Sequence, residues 1–487
     1  MLFSSITFLV FFLPTVLLFY YAHPSRVYKN CVLFLASLLF YAWGEPKYVF
    51  LMLSSILFNY KAGLSISKNI VKKKQILTFA IIVNISLLFV FKYLGFSITI
   101  IDRLLESLHS KPLRIINFVL PIGISFYTFQ EISYLVDVYK DPKIAQKSLL
   151  NLGLYITFFP QLVAGPIVRY HDINKQILNR QENMEQVAYG LERFIIGLSK
   201  KILIANTVAL VADKIYDASI FSYDIRTAWI AAIAYALQIY YDFSGYSDMA
   251  IGLAAVFGFT LSENFRYPYA ASSITDFWKR WHISLTSFFR DYVYISLGGN
   301  RKGKVRTILN RFIVFFTTGL WHGASFNFIL WGLTHGILMT IERYNNKKIK
   351  KDNFIINLFR RIFTLFSIVI LWILFRNGTI QTLKLVLKMF GINYTKYFGT
   401  FVPINIDGLL QLSIDTKFFI ITSIGTLFSV PWWKAKLFSQ KRFSENTTSV
   451  VSILGTAIKY LILGALLVLC YASLADNSYN PFIYFRF

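Results

Sequence analysis

Apolar runs, many close to the roughly 20 residues that a helix needs to cross a bilayer, recur from one end of this 487-residue chain to the other. They lie near 5–22, 29–44, 48–66, 76–94, 115–136, 149–165, 189–211, 228–258, 308–321, 326–342, 360–376, 416–433 and 452–474, and several are short or interrupted. Inside lipid a backbone must satisfy its own polar groups, which leaves helices or closed barrels. The runs are continuous rather than alternating, so helices are expected and a barrel is not. Composition agrees, at 56% hydrophobic and 15% charged, against about 45–50% and 25% in soluble domains. No long polar stretch, repeat or low-complexity tract divides the runs, so residues 1–487 read as one all-α integral membrane domain. The opening "MLFSSITFLVFFLPTVLLFYYA" lacks a basic n-region and an A-x-A site and reads as a retained span. Cys31 and Cys470 sit in apolar runs and offer neither a disulfide framework nor metal-ligand spacing.

The net charge is +26. Such a balance often marks a nucleic-acid binder, but here Lys and Arg gather in short loops between apolar runs, as the positive-inside rule expects. No nucleic-acid partner is expected; anionic lipid and an anionic soluble substrate at the cytoplasmic face are. The segments "SKNIVKKK" (67–74), "RKGKVR" (301–306), "RYNNKKIKK" (343–351) and "KAKLFSQKR" (434–442) read as cytoplasmic. The N-terminus and the C-terminus then both lie outside. Residues 377–415 read as external, with "QTLKLVLKMF" as an interfacial amphipathic helix.

Residues 307–321 and 326–342 lie between two cytoplasmic loops and predict a helical hairpin with "GLWHGAS" at its apex. His322 then lies roughly 24 Å along a helix from Arg306, deep in the bilayer, where an ionisable group is a functional candidate by default. A histidine capping a neighbouring helix is the bland alternative. Of the other histidines, His23, His109 and His171 fall in loops and read as solvated. His335, in "WGLTHGIL", reads as a packed core residue. His282 belongs to "DFWKRWHISLTSFFRDYVYISLGGNR" (276–301), where Trp278, Trp281, His282, Leu285, Phe288 and Phe289 recur at helical spacing among Lys279, Arg280, Arg290 and Asp291. An interfacial helix with snorkelling bases and a cationic, aromatic wall for an anionic substrate fit this stretch equally. "YYDFSGYSDMAIG" (240–252) places Asp242 and Asp248 in an apolar span, where acidic groups need partners. Arg280 or Arg290 is the expected partner of Asp242. "FFPQLVAGPIVR" (158–169) breaks another span, a form tolerated where backbone lines a cavity. No phosphate loop, nucleophile elbow or zinc motif is present.

These stretches resemble the membrane-bound O-acyltransferase (MBOAT) family. The signature is "DFWKRWHISLTSFFRDYVYISLGGNR" followed by "GLWHGASFNFILWG", with "FYAWGEPKYVFLML", "FFPQLVAGPIVR" and "YYDFSGYSDMAIG" in support. The chain is most similar to the AlgI-, PatA- and DltB-like bacterial branch that acylates envelope polymers, densely over residues 1 to about 345. The resemblance implies a ring of about eleven spanning helices, with re-entrant and interfacial helices, around a tunnel in the cytoplasmic (inner) membrane. It implies catalytic roles for His322 and His282, with Trp278, Trp281, Arg280, Arg290, Asp291, Trp321 and Asp242 as tunnel or supporting residues. It implies no bound cofactor or metal, an acyl donor such as acetyl-CoA, and an extracytoplasmic SGNH-type esterase or acetyltransferase as partner. An imidazole, with an ordinary pKa of about 6.5, suits proton transfer at neutral pH, and a water-poor tunnel limits thioester hydrolysis.

The chain ends in "NPFIYFRF" (480–487). In related systems a C-terminal F-x-Y-x-x-F motif carries the acyl group on its tyrosine, and Phe482-Ile483-Tyr484-Phe485-Arg486-Phe487 matches it. The resemblance therefore implies Tyr484 as acyl acceptor; an aromatic interfacial anchor is the alternative. Two other classes share the spans: a transporter or flippase, which often shows two similar halves not found here, and a non-catalytic scaffold of a polysaccharide machine.

Overall fold

A computed structural model of the chain describes residues 1–113, 118–217, 224–345, 354–392, 413–431, 450–476 and 479–483. The described residues are helical, with no strand among them. Five helices are long and apolar enough to cross a membrane: Tyr48–Lys68, Lys73–Ser107, Met184–Asp217, Phe354–Arg376 and Leu454–Asp476. The chain is a multi-pass membrane protein. A further long helix, Ile225–Val256, spans 32 residues but is more polar, because it carries Asp242, Ser244, Ser247 and Asp248. Those four residues are covered by protein or ion-paired rather than turned to lipid.

Local chemistry sets the ends of this central helix. The Asp224 carboxylate accepts from the Thr227 backbone N–H at 2.9 Å and its hydroxyl at 2.8 Å, as an N-cap should. At the other end Gly258 adopts φ 81°, and Phe259 N–H returns to the Ala254 carbonyl at 2.8 Å, closing a Schellman motif. The helix packs along Met184–Asp217 at a small-residue contact. A Cβ on Gly245 would stand 2.8 Å from the Gly197 carbonyl and 3.1 Å from the Lys201 amide. That close approach lets Lys201 reach the face bearing Asp242.

The expected hairpin forms. Gly303–His322 and Phe326–Asn345 run as two helices joined at Gly323–Ser325. A Cβ on Gly332 would meet the Phe315 carbonyl at 2.2 Å, and one on Gly319 the Phe328 carbonyl at 2.3 Å. The two helices are therefore in backbone contact near the apex. The span at 149–165 breaks as expected: Leu149–Thr157 is followed by a short turn, Phe159–Leu162, and then by extended chain. Serine hydroxyls satisfy the freed amides. Phe159 N–H donates to Ser37 Oγ, Ile167 N–H to Ser284 Oγ and Tyr170 N–H to Ser133 Oγ, each at 3.0 Å.

One expectation differs. The stretch 276–301 is not one continuous helix. It breaks into Ile274–Trp278 and Ile283–Phe288, with a π-helical turn at Phe289–Tyr294. The break falls at His282, whose φ of 44° is left-handed and ends regular helix. The expected amphipathic helix forms at Thr379–Met389: its buried Leu385 and Met389 pack on Ala228, Ala232 and Ile373, Ile380 and Leu383 are exposed, and Trp229 Nε1 donates to the Met389 carbonyl at 2.9 Å.

Candidate active site

His322 is the last residue of its helix and is buried. Trp321, Trp331 and Phe375 wall its ring, with centroids at 4.8, 5.2 and 5.0 Å. It opens onto a cavity of about 430 Å³ lined also by Lys92, Leu120, Gly123, Ser125, Phe126, Val163 and Trp321. Val163 comes from the broken span, so its irregular backbone borders the cavity, as the sequence suggested.

His282 lies beyond Trp321, the two ring centroids 5.9 Å apart. It is fully buried, and Phe243 packs edge-on against it at 4.6 Å. Asn264 holds it. The Asn264 Oδ1 accepts from Ser284 N–H at 3.2 Å and Ser284 Oγ at 2.9 Å, and stands 3.2 Å from His282 Nδ1. A backbone N–H can only donate, so that atom is the amide oxygen. The Asn264 amide nitrogen accordingly donates to Ser247 Oγ at 2.8 Å. His282 Nδ1 must then carry the proton, which leaves Nε2 as the basic nitrogen. His335 is the packed core histidine expected: Trp278 Nε1 donates to its Nδ1 at 3.2 Å.

The other expected site residues fall into separate groups. Trp281 is buried and packs at a tilt against Trp372, centroids 4.7 Å apart. Asp242 pairs with neither Arg280 nor Arg290, contrary to expectation. Arg280 pairs with Asp276 at 2.9 Å and Arg290 with Asp291 at 2.7 Å, both one helical turn or less away in sequence. Asp291 is also held by Arg169. Asp242 pairs instead with Lys201 at 2.6 Å, and Asp248 with Lys200 at 2.6 Å and Arg193 at 2.7 Å. A π-helical stretch at Lys200–Ala205 turns both lysines toward the central helix. His171 is not a simple solvated residue: its Nδ1 is 2.9 Å from Asp137 and its Nε2 3.2 Å from Asp172.

The chain terminus enters this arrangement. Tyr479 OH donates to Asp213, Asn206 Nδ2 to Asn480 Oδ1 at 3.2 Å, and Lys201 Nζ to the Pro481 carbonyl. Ile483 N–H donates to Asp242 Oδ2 at 2.7 Å. From Asp213 to Lys201 is roughly 18 Å along a helix, so the tail descends into the protein. Phe482 and Ile483 are buried, Phe482 on Tyr246 at 4.8 Å. Ile483 joins the apolar cluster that contains Trp331 and Phe375, the rings beside His322. Tyr484 lies outside the described residues.

Sequence reasoning missed three residues here: Lys92, Lys201 and Asn264. Lys92 comes from a π-helical turn, Phe89–Tyr93, and donates to the Trp321 carbonyl. Its signal was a lone lysine in the apolar run "LLFVFKYLGF".

Residues 36–377 match the family profile of the membrane-bound O-acyltransferases, MBOAT. The chain is 36% identical over 493 residues to "Probable alginate O-acetylase AlgI" of Pseudomonas putida, covering 100% of both proteins. It is 37% identical over 428 residues to "Peptidoglycan O-acetyltransferase" of Helicobacter pylori, covering 81% of this chain and 80% of the relative. "Teichoic acid D-alanyltransferase" of Bacillus subtilis is 30% identical over 263 residues, covering 50% of this chain and 63% of the relative. A match of this extent, on a chain whose His322 and His282 motifs meet around one aromatic cage, identifies an O-acyltransferase of the MBOAT family.

Proposed function

We propose that this protein moves an acetyl group from a cytoplasmic thioester, acetyl-CoA, across the cytoplasmic membrane of a bacterium for O-acylation of an alginate- or peptidoglycan-type surface polysaccharide. Residues 1–487 act as one polytopic domain, with an MBOAT-type ring of about eleven spans and both termini external. His322 is the general base and His282 assists on the donor side, with Trp278, Trp281 and Trp321 forming the aromatic wall between. Tyr484 receives the acyl group and passes it to an extracytoplasmic SGNH-type partner.

The buried tail carries this reading. An interfacial anchor would lie at the surface, whereas Ile483 is 2% exposed and bonded to Asp242 in the middle of a 32-residue helix. The next residue is Tyr484. Placement of the cavity supports the direction of transfer. The helix Ile124–Lys140 has its basic end beside Lys73, whose ammonium lies 4.9 Å from the Tyr139 ring centroid. That end adjoins the basic 67–74 segment, the cytoplasmic side by charge. The cavity is lined by the opposite end of the same helix and the chain before it, Leu120–Phe126. It therefore lies toward the external side, where the tail enters. There His322 takes the acceptor proton as the acceptor oxygen attacks the thioester, then returns it to the departing thiolate.

Labelled acetyl-CoA incubated with the purified protein tests this. Mass spectrometry of the C-terminal peptide should find an acetyl ester on Tyr484 that is absent in His322→Ala. Full polymer acetylation by Tyr484→Phe would exclude the relay.

A further inference from the structure

The wall of the His322 cavity contains a cation. Lys92 Nζ donates to the Trp321 carbonyl, stands 3.5 Å from Ser125 Oγ, and lies 5.9 Å from the Trp321 ring centroid. Lys92, Ser125, Trp321 and His322 border the same space. No carboxylate among the described residues pairs with Lys92. An ammonium has three donors and accepts nothing. Holding it at membrane depth is costly unless negative charge or several acceptors compensate. Neutral oxygens meet part of that need, and a negative charge arising in the cavity would meet the rest.

We propose that Lys92 is a catalytic residue that stabilises the oxyanion formed during acyl transfer. The proposal rests on the acyl-transfer reading above but not on which hydroxyl accepts. His322 removes the proton of the acceptor hydroxyl, and that oxygen bonds to the acyl carbon. The carbonyl π pair moves onto the carbonyl oxygen, whose negative charge the Lys92 ammonium stabilises. The pair then returns, the carbon–sulfur bond breaks, and the thiolate takes the proton from His322. Lys92 stays protonated throughout. A preplaced cation in a water-poor site stabilises such charge far more than it would in water.

A structural role for this lysine has a built-in comparison. The last carbonyls of a helix lack intrahelical partners. Tyr93 OH donates to the Leu320 carbonyl at 3.0 Å, so the neighbouring residue caps the same helix end without contributing charge. If capping were the whole role of Lys92, Lys92→Met and Tyr93→Phe would cost similar activity.

Acetyl transfer by the purified full-length protein, with the acetyl-CoA concentration varied, separates the two. Lys92→Met should lower kcat by about 100- to 1,000-fold with the donor KM nearly unchanged. Lys92→Arg should retain part of the rate, and Tyr93→Phe should lose less than about tenfold at a matched melting temperature. Lys92→Cys alkylated with 2-bromoethylamine restores an ammonium at similar reach and should regain activity within one folded preparation. That measurement also serves if Lys92→Met does not fold. Near-normal kcat in Lys92→Met with His322→Ala inactive overturns the role of Lys92 alone, as does no gain on alkylation. Full transfer by His322→Ala overturns the underlying acyl-transfer reading, and this proposal with it.

Discussion

The Ile483 backbone N–H donates to the Asp242 carboxylate at 2.7 Å, while Lys201 pairs with the same carboxylate at 2.6 Å and reaches the Pro481 carbonyl. One buried ion pair thus holds both a donor and an acceptor of the tail. Removing one partner of such a pair leaves an uncompensated charge and typically costs about 3–5 kcal/mol. Asp242→Ala should therefore lower stability by that order and lose acetyl transfer. Exchanging the pair, as Lys201→Asp with Asp242→Lys, separates the functions. The exchange keeps the attraction but offers the wrong group to each tail atom. Its melting temperature should recover more than its transfer activity, and equal recovery of both would show that the pair does not position the tail.

The backbone contact at the hairpin sets where His322 lies. Ala at Gly332 would place its Cβ 2.2 Å from the Phe315 carbonyl, and a backbone atom cannot rotate aside. Overpacking of this kind costs about 1–3 kcal/mol. Gly332→Ala should part the two helices, lower the melting temperature and reduce transfer at least tenfold. Ala at Gly336, where the nearest atoms are 3.5 Å away, is the matched control and should be nearly neutral.

His171 predicts a pH dependence away from the aromatic cage around His322. Its hydrogen bond to Asp137, then that to Asp172, raises its pKa from the ordinary 6.5 to about 9. A folded-state pKa above the unfolded one means that the stabilisation is fully present below about pH 6.5 and lost as pH rises through about 9. The side chain is 46% exposed, so water screens the effect and a small change is expected. The melting-temperature difference between the parent and His171→Gln should shrink from pH 6 to pH 9.5. A constant difference across that range would contradict the pairing.

The helical, multi-pass character and the hairpin were legible in the sequence because apolar length and loop charge encode them directly. His322 and His282 were singled out through resemblance and unusual placement, and the structure brings both rings against Trp321. The partner of Asp242 was not. Arg280 lies in the turn after Ile274–Trp278 and Arg290 in the π-helical turn Phe289–Tyr294, and they pair locally with Asp276 and Asp291. Lys201 reaches Asp242 through a π-helical turn and the Gly197–Gly245 approach, neither of which a period of 3.6 reveals. Lys92 was passed over because a lone lysine in an apolar run also fits a side chain that snorkels to the interface.

Asn264 left no local signal, since its role exists only once the chain returns 18 residues later at His282. Its side chain accepts from Ser284 twice, donates to Ser247 and sets the His282 tautomer, while its carbonyl accepts from Ile283 N–H at 2.9 Å. Asn264→Ala strands buried groups that each cost about 1–3 kcal/mol when unsatisfied. It should destabilise the protein and lower transfer together. Asn264→Asp is the sharper test. A carboxylate still accepts from Ser284 and His282 Nδ1 but cannot donate to Ser247, and it adds negative charge beside the imidazole. Charge at that position stabilises a protonated His282, so the transfer rate should fall at low pH and recover as pH rises. An Asn264→Asp variant whose pH–rate profile overlays that of the parent would show that His282 does not work through a neutral Nε2.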